Sequence, residues 1–421
     1  MSTPHTGHRR ITILLLMCVV VISACDKLIF SFAGPAIIRD LALTPVQFGF
    51  AGSAFFFLYS VSGIALGFLA NRVKTRWILV GMSAVWATSQ FIVNFASGFA
   101  SLVVSRLLLG IGTGPATAIT QHAGFKWVAP GERVRISSLL QISLAIGGLL
   151  SGAVLPLAIL KYGWRQSYVA LGVLSLVWIA LWLVFGREGQ VDDRAHGAAG
   201  KSATYRQLLL NRTFITVSLL GFIGYMPNVL GFSWLAVYLQ QGVGLAPGTM
   251  AIYLTTLTLA VIVLSYIASW LAERALKAGT SFRKAMVVPP MLGCAVGAAA
   301  YFSMHLAHRD MRAVLALYFI GSLAINLLPV FGYAIVAHIA APEKRGAMLA
   351  IHNGVVTSAG IVAPAAIGLL IARSGGDVSA GMELFFAVFG IVAFIGSLIG
   401  LAWIQPDGAE AKEKVYGRQR I

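Results

Sequence analysis

Apolar runs of roughly twenty residues, separated by short polar breaks, dominate the chain. They begin near residues 11, 47, 77, 99, 137, 165, 213, 248, 284, 312, 347 and 381. Twenty apolar residues are what an α-helix needs to cross the hydrocarbon core of a bilayer. The pattern therefore predicts an all-α membrane protein with twelve transmembrane helices.

One break differs from the rest. The stretch "GREGQVDDRAHGAAGKSATYRQLLLNR", residues 186–212, is polar, charged and rich in Gly and Ala. Six predicted spans precede it and six follow. The two halves also resemble each other: Leu43, Pro45, Leu69, Ala70 and Arg72 recur as Leu245, Pro247, Leu271, Ala272 and Arg274, at an offset of 202 residues. A second pair of loops, "PGERVR" from Pro130 and "PEKRGA" from Pro342, recurs in the same order. Duplicated six-helix halves are the sequence sign of a transporter whose halves rock about a midplane site. The expected organisation is two pseudo-symmetric six-helix bundles, residues 1–186 and 213–404. A cytoplasmic linker (187–212) joins them and a cytoplasmic tail (405–421) follows.

Composition agrees with a membrane protein and explains the charge. The chain is 58% hydrophobic and 11% charged, against about 25% charged in soluble proteins, and its mean hydropathy is +0.85. A formal net charge of +17 could suggest a nucleic-acid partner, but the distribution of the charges argues against one. With a cytoplasmic N-terminus, most Lys and Arg fall in the tails and inner loops. The outer loops hold only Arg39, Lys161, Arg165, Arg309, Arg312 and Arg373. That is the positive-inside bias, so the excess charge reports both termini as cytoplasmic and a bilayer as the partner. No basic, aromatic-interleaved module for nucleic acid is present.

The segment "RRITILLLMCVVVISAC" has the look of a cleavable signal, but the apolar run resumes after Lys27, and a retained first helix is expected. Cys18, Cys25 and Cys294 all lie in spans with no CxxC spacing, as buried apolar cysteines do.

Two charges stand side by side inside the first span: Asp26 and Lys27, in "VISACDKLIFSF". A charge at a helix centre is costly, and it normally faces a cavity or a partner. Helical neighbours point about 100° apart, so one of the pair can face a cavity while the other faces a neighbouring helix. Arg106, inside the fourth span, is the natural third member. The three charges sum to +1, which an anionic carboxylate would cancel, with Arg106 offering a planar fork and Lys27 a point charge. Ionised Asp26 is expected to compete for Arg106 or Lys27. Its protonation would free a cation, so that anion and proton bind together.

The loop motif with Gly67, Asn71, Arg72, Lys74 and Arg76, together with "SRLLLGIGTGP", "WVAPGERVR", "YGWRQSYVALGVLSLVW" and "HNGVVTSAGIVAP", resembles the major facilitator superfamily. Within it, the chain is similar to the anion:cation symporter branch. The resemblance implies the major facilitator fold and proton-coupled symport of an organic anion, such as a sugar acid or aromatic acid, by alternating access. It implies Asp26 as the proton-coupling acid and Lys27 as a contact to the anion. Tyr59 and Asn353 stand where the family places cavity residues. It also implies a cytoplasmic gate built from Gly67, Asn71, Arg72, Arg76, Glu132, Arg133, Glu273 and Arg274. Asn71 replaces the usual Asp, and Thr113 stands where relatives often carry Glu, leaving one obvious carboxylate for coupling. No cofactor is expected beyond the coupling proton. The expected setting is the inner membrane of a bacterium, as a multi-pass monomer.

Asn326 and Gln141 are further polar candidates for contact with substrate, being either cavity ligands or interhelical links. His352 reads as a satisfied histidine. Gly110, Gly112 and Gly114, and the Gly148-Gly152 pair, read as close helix packing. Pro156, Gly360 and Pro364 are candidate flex points. A drug/proton antiporter on the same fold is the alternative, although "GGLLSGAVLP" matches only the opening of the antiporter motif. An enzyme is not expected, because no second deep carboxylate or metal-binding cluster accompanies Asp26.

Overall fold

The computed structural model describes residues 5–69, 73–128, 132–189, 209–307, 310–340 and 344–406. Helices fill it: α1 (His5–Asp40), α2 (Pro45–Leu69), α3 (Thr75–Asn94), α4 (Phe99–Thr113), α5 (Ala116–Phe125), α6 (Arg133–Tyr162) and α7 (Trp164–Phe185) in the first half. In the second half come α8 (Arg212–Gly231), α9 (Leu235–Val237), α10 (Pro247–Lys277), α11 (Val288–Leu306), α12 (Met311–Ile325), α13 (Leu327–Ile339), α14 (Arg345–Thr357), α15 (Ala359–Arg373) and α16 (Val378–Trp403). Among the described residues, 11 helical stretches are long and apolar enough to cross a membrane, and α2 stands at the remaining predicted position. The all-helical membrane architecture expected from the sequence is therefore present.

Three spans are each built from two helices in succession. Pro115, which cannot continue the backbone ladder, separates α4 from α5. Asn326 separates α12 from α13 and donates its side-chain amide to Ser322 O at 2.8 Å. Ser358 separates α14 from α15 and donates to Val355 O at 2.7 Å. Local sequence also sets where α2 begins. In "TPVQ", Thr44 N donates to Gln47 Oε1 and Gln47 N donates to Thr44 Oγ1, a reciprocal capping box, with Pro45 at the first helical position where its missing N–H costs nothing.

The outward face identifies the solvent. Leu160, Ile252 and Tyr266 are each about 70% exposed, and whole helix faces are apolar. In water such patches would drive association, whereas against lipid tails they carry no penalty.

Contacts divide the chain into two units. One comprises residues 1–196 with 230–255 and 360–381; the other comprises 197–229, 256–359 and 382–421. This grouping does not follow the sequence halves, because α9 and most of α15 belong with the first seven helices. Residues 190–208 of the expected linker, and the tail from 407, lie outside the described residues.

Inside the first unit, α2 and α15 approach at backbone distance. A Cβ on Gly49 would collide with the Pro364 carbonyl, and one on Gly368 with the Pro45 carbonyl. Ala365 N donates to Ser53 Oγ at 3.1 Å, and Trp234 Nε1 donates to Pro364 O at 3.0 Å. This seam lies toward the ends of the helices that carry Asp40, Pro45 and Arg373.

Glycines also set the packing of α4. A Cβ on Gly110 or Gly114 would meet the α2 backbone at Phe55 and Tyr59, and one on Gly112 would enter the Trp86 ring on α3. The expected role in helix packing holds there. It fails for Gly148, which has open space around it. Gly147 is the residue that meets Val21 and Ala24 of α1, a difference of one position that turns the contact by 100°.

Candidate functional site

The adjacent charges of α1 diverge as helical geometry requires. Asp26 turns toward α3 and is fully buried; Gln90 Nε2 donates to its Oδ1 at 2.6 Å. Its second oxygen, Oδ2, has no partner. Lys27 turns toward α2 and sits with Nζ 6.0 Å from the centre of the Tyr59 ring.

Asp26 forms no ion pair with Lys27 or Arg106 among the described residues. Any competition of ionised Asp26 for these cations therefore acts without a direct ion pair. The partner is a neutral amide, because the face of α1 bearing Asp26 packs on α3 while Lys27 points elsewhere.

Arg106, on α4, is 1% exposed and its three guanidinium nitrogens all lack hydrogen-bond partners. The guanidinium carbon lies 4.2 Å from the centre of the Phe30 ring and 4.6 Å from that of Phe55. Phe30 follows Asp26 by one helical turn and Phe55 precedes Tyr59 by one turn, so each shares a face with a residue already expected in the site. The cage continues outward. Phe48 stacks on Phe30 at 4.6 Å, and Trp234 meets Phe48 edge-on at 4.8 Å.

Cation–π contacts of this kind contribute on the order of 2 kcal/mol when desolvated. Removing a cation from water costs several kcal/mol. The two rings therefore offset only part of the cost, and the edge of the guanidinium keeps an unused fork of N–H donors. The Tyr59 ring lies 5.6 Å from Phe55, which brings Lys27, Tyr59 and Arg106 into one constellation.

Two residues that sequence reasoning did not select complete the buried side of this site. Gln90 holds Asp26, and its own Oε1 is unpartnered. Tyr168 on α7 is buried and its hydroxyl has no partner. An amide deep in an apolar span was the available signal for Gln90. Tyr168 gave none that separates it from packing.

The remaining candidates fall elsewhere. Gln141 is exposed on α6. Asn326 serves the break between α12 and α13. The exposed Asn353 accepts from Tyr333 Oη at 2.6 Å in the second unit. His352 in that unit is buried, with Nδ1 3.0 Å from Ser218 Oγ and Nε2 unpartnered, so it is only half satisfied.

Of the expected gate, Asn71 and Arg72 lie outside the described residues, and Gly67 is described only as backbone within α2. Glu132 pairs with Arg9 at 3.1 Å. Arg133 lies over the Phe125 ring. Glu273 and Arg274 are exposed, with Arg274 over Trp270.

Arg76 belongs to a denser cluster around Glu188, a residue assigned to the linker by sequence. Glu188 accepts from Thr75 N, Thr75 Oγ1 and Arg76 N, and pairs with Lys126 at 2.6 Å. Arg76 Nη2 also donates to Leu183 O at 2.7 Å. Burial acts to raise the Glu188 pKa, but Lys126, the Arg76 backbone and Thr75 together outweigh it and hold the carboxyl below its ordinary value. The carboxylate caps the first N–H groups of α3 and ties them to the segments following α5 and α7.

Comparison with known proteins places this geometry in context. The model for the Major Facilitator Superfamily matches residues 15–308 and 277–419. A hexuronate transporter of Bacillus subtilis is 24% identical over 96% of this chain and 97% of its own length. A protein of Cupriavidus necator described as a probable sulfoacetate transporter is 26% identical over 92% of each chain. The crystal structure of a bacterial homologue of the human lysosomal transporter Spinster superposes with a TM-score of 0.81, at 17% identity, over 96% of this chain and 98% of that one.

Proposed function

Since the chain belongs to the Major Facilitator Superfamily, whose members are transporters and not enzymes, we propose that it carries a small organic anion across the membrane by alternating access, coupled to protons. The substrate class is a carboxylate such as a sugar acid or aromatic acid, taken up across a bacterial inner membrane by a monomer. One observation carries this reading: Arg106 is buried beside the Phe30 and Phe55 rings with every guanidinium nitrogen unpartnered. With its N–H donors unpartnered, the guanidinium fork suits a planar, bidentate anion. Lys27 supplies a second positive charge beside Tyr59, whose hydroxyl would donate to the substrate. Hexuronate and sulfoacetate, the substrates named for two relatives, are both anions.

Asp26 is the coupling acid. Ionised, it lowers the positive charge of the site; protonated, it leaves Lys27 and Arg106 uncompensated, and an anion binds more tightly. Each ligand thus favours the other, as linkage requires. Closure at one end by the α2–α15 seam, with its glycines against Pro364 and Pro45, is the contact that would open and close during the cycle.

A thermal-shift screen of the purified protein tests the reading, using carboxylates at mildly acidic and at neutral pH beside lipophilic cations. A ligand at a hundred times its Kd adds about 2.7 kcal/mol. Stabilisation by one carboxylate class, larger at acidic pH, is the expected result. Stabilisation by lipophilic cations alone would overturn it in favour of proton-coupled drug export.

A further inference from the structure

Asp26 and Gln90 meet through a single hydrogen bond, yet each keeps one buried oxygen without a partner: Asp26 Oδ2 and Gln90 Oε1. Both groups are planar. An amide offers a donor and an acceptor side by side; a carboxylate offers only acceptors, whereas a carboxylic acid offers one of each. An ionised Asp26 can therefore use only the NH2 side of Gln90, which is the side it faces, and the amide oxygen is left without a partner. Orphaned buried oxygens carry a desolvation cost.

We propose that Gln90 is the positioning residue of the proton site, and that protonated Asp26 forms a cyclic acid–amide pair with it. The inference rests on the reading of Asp26 as the coupling acid. One solvent proton adds to Oδ2, which then donates to Gln90 Oε1 while Nε2 continues to donate to Oδ1. No other bond breaks, and a single proton satisfies two buried atoms. The pairing fixes which oxygen is protonated and keeps that proton directed at α3, away from Lys27 and the substrate.

The charged and titratable groups around Asp26 are few. Lys27 and Cys25 flank it on α1, and Tyr168 of α7 and Arg106 of α4 are the further groups that bear on its electrostatics. α3 contributes Gln90, and α6 offers the Gly147 carbonyl to Cys25. Tyr168, whose hydroxyl is also unpartnered, is the alternative acceptor that the test includes.

Infrared difference spectroscopy on the full-length protein, between neutral and acidic buffer, separates these possibilities. The carboxylic C=O band that appears at acidic pH is assigned to Asp26 by its loss in Asp26→Asn. The expected band lies at the lowered frequency of a hydrogen-bonded acid. It moves up toward that of a free acid in Gln90→Leu and in the more nearly isosteric Gln90→Met, and stays in place in Tyr168→Phe. A band unmoved in both Gln90 variants, or moved by Tyr168→Phe instead, would overturn the pairing while leaving Asp26 as the coupling acid. Absence of any acid band that depends on Asp26 would overturn both.

Discussion

Asp26 and Lys27 are neighbours in the chain and serve different helices. Asp26 is held by Gln90 on α3, while Lys27 lies beside Tyr59 on α2. The 100° turn between successive residues separates a buried acid from a cation free to meet a ligand. A carboxylate and an ammonium one residue apart thus need not form a direct ion pair, and each can serve a different neighbour.

Lys27 is expected to carry anion affinity without holding up the fold, since it forms no ion pair among the described residues. Truncating one partner of a desolvated charge pair costs about 2–5 kcal/mol. Lys27→Ala should therefore weaken binding of the stabilising carboxylate by about 30-fold or more, with the melting temperature of the unliganded protein little changed. An unaltered Kd in calorimetric titration would remove Lys27 from the site.

Arg106→Lys tests whether the aromatic cage positions a planar cation. Lysine keeps the charge but loses the stacked guanidinium and its fork. Carboxylate affinity should fall by about 5- to 30-fold, equivalent to roughly 1–2 kcal/mol, while the net charge of the site is preserved. If Arg106→Lys bound as well as the parent, charge alone would suffice, and the contacts of Arg106 with Phe30 and Phe55 would be packing.

Glu188 predicts a pH dependence of stability distinct from that of transport. Its carboxyl is held below its ordinary value in the folded protein. The stabilisation it contributes is complete above the unfolded value and is lost as pH falls through the depressed folded value. Glu188→Gln should be less stable at neutral pH by about 1–2 kcal/mol, and should show a flatter fall in melting temperature on acidification. Parallel curves for the two proteins would show that the Lys126–Glu188 cluster contributes nothing measurable.

At the α2–α15 seam, Gly49→Ala places a methyl group against the Pro364 carbonyl, and backbone cannot withdraw as a side chain can. Overpacking of this kind costs about 1–3 kcal/mol, read as a lowered melting temperature. Gly81→Ala is the control: it lies within α3 with open space around it, and should be neutral or slightly stabilising.

Length and hydrophobicity determine the fold at the level at which a bilayer imposes it. Each span must be an apolar helix of about 20 residues, so the spans and the central polar break are written directly in residue order. The start of α2 is equally local, because the Thr44–Gln47 capping box lies within four residues. The divergence of Asp26 from Lys27 follows from helix geometry alone. Which helix each would meet does not. Gln90 opposite Asp26, Phe30 and Phe55 across Arg106, Gly147 rather than Gly148 against α1, and Glu188 against Lys126 all depend on the rotation and register of packed helices. Those are set by the summed fit of many side chains, and a shift of one residue turns a contact to another face. The sequence by itself thus determined that a buried charge must find a partner; only the tertiary structure decided that Asp26 found Gln90 and that Arg106 found none.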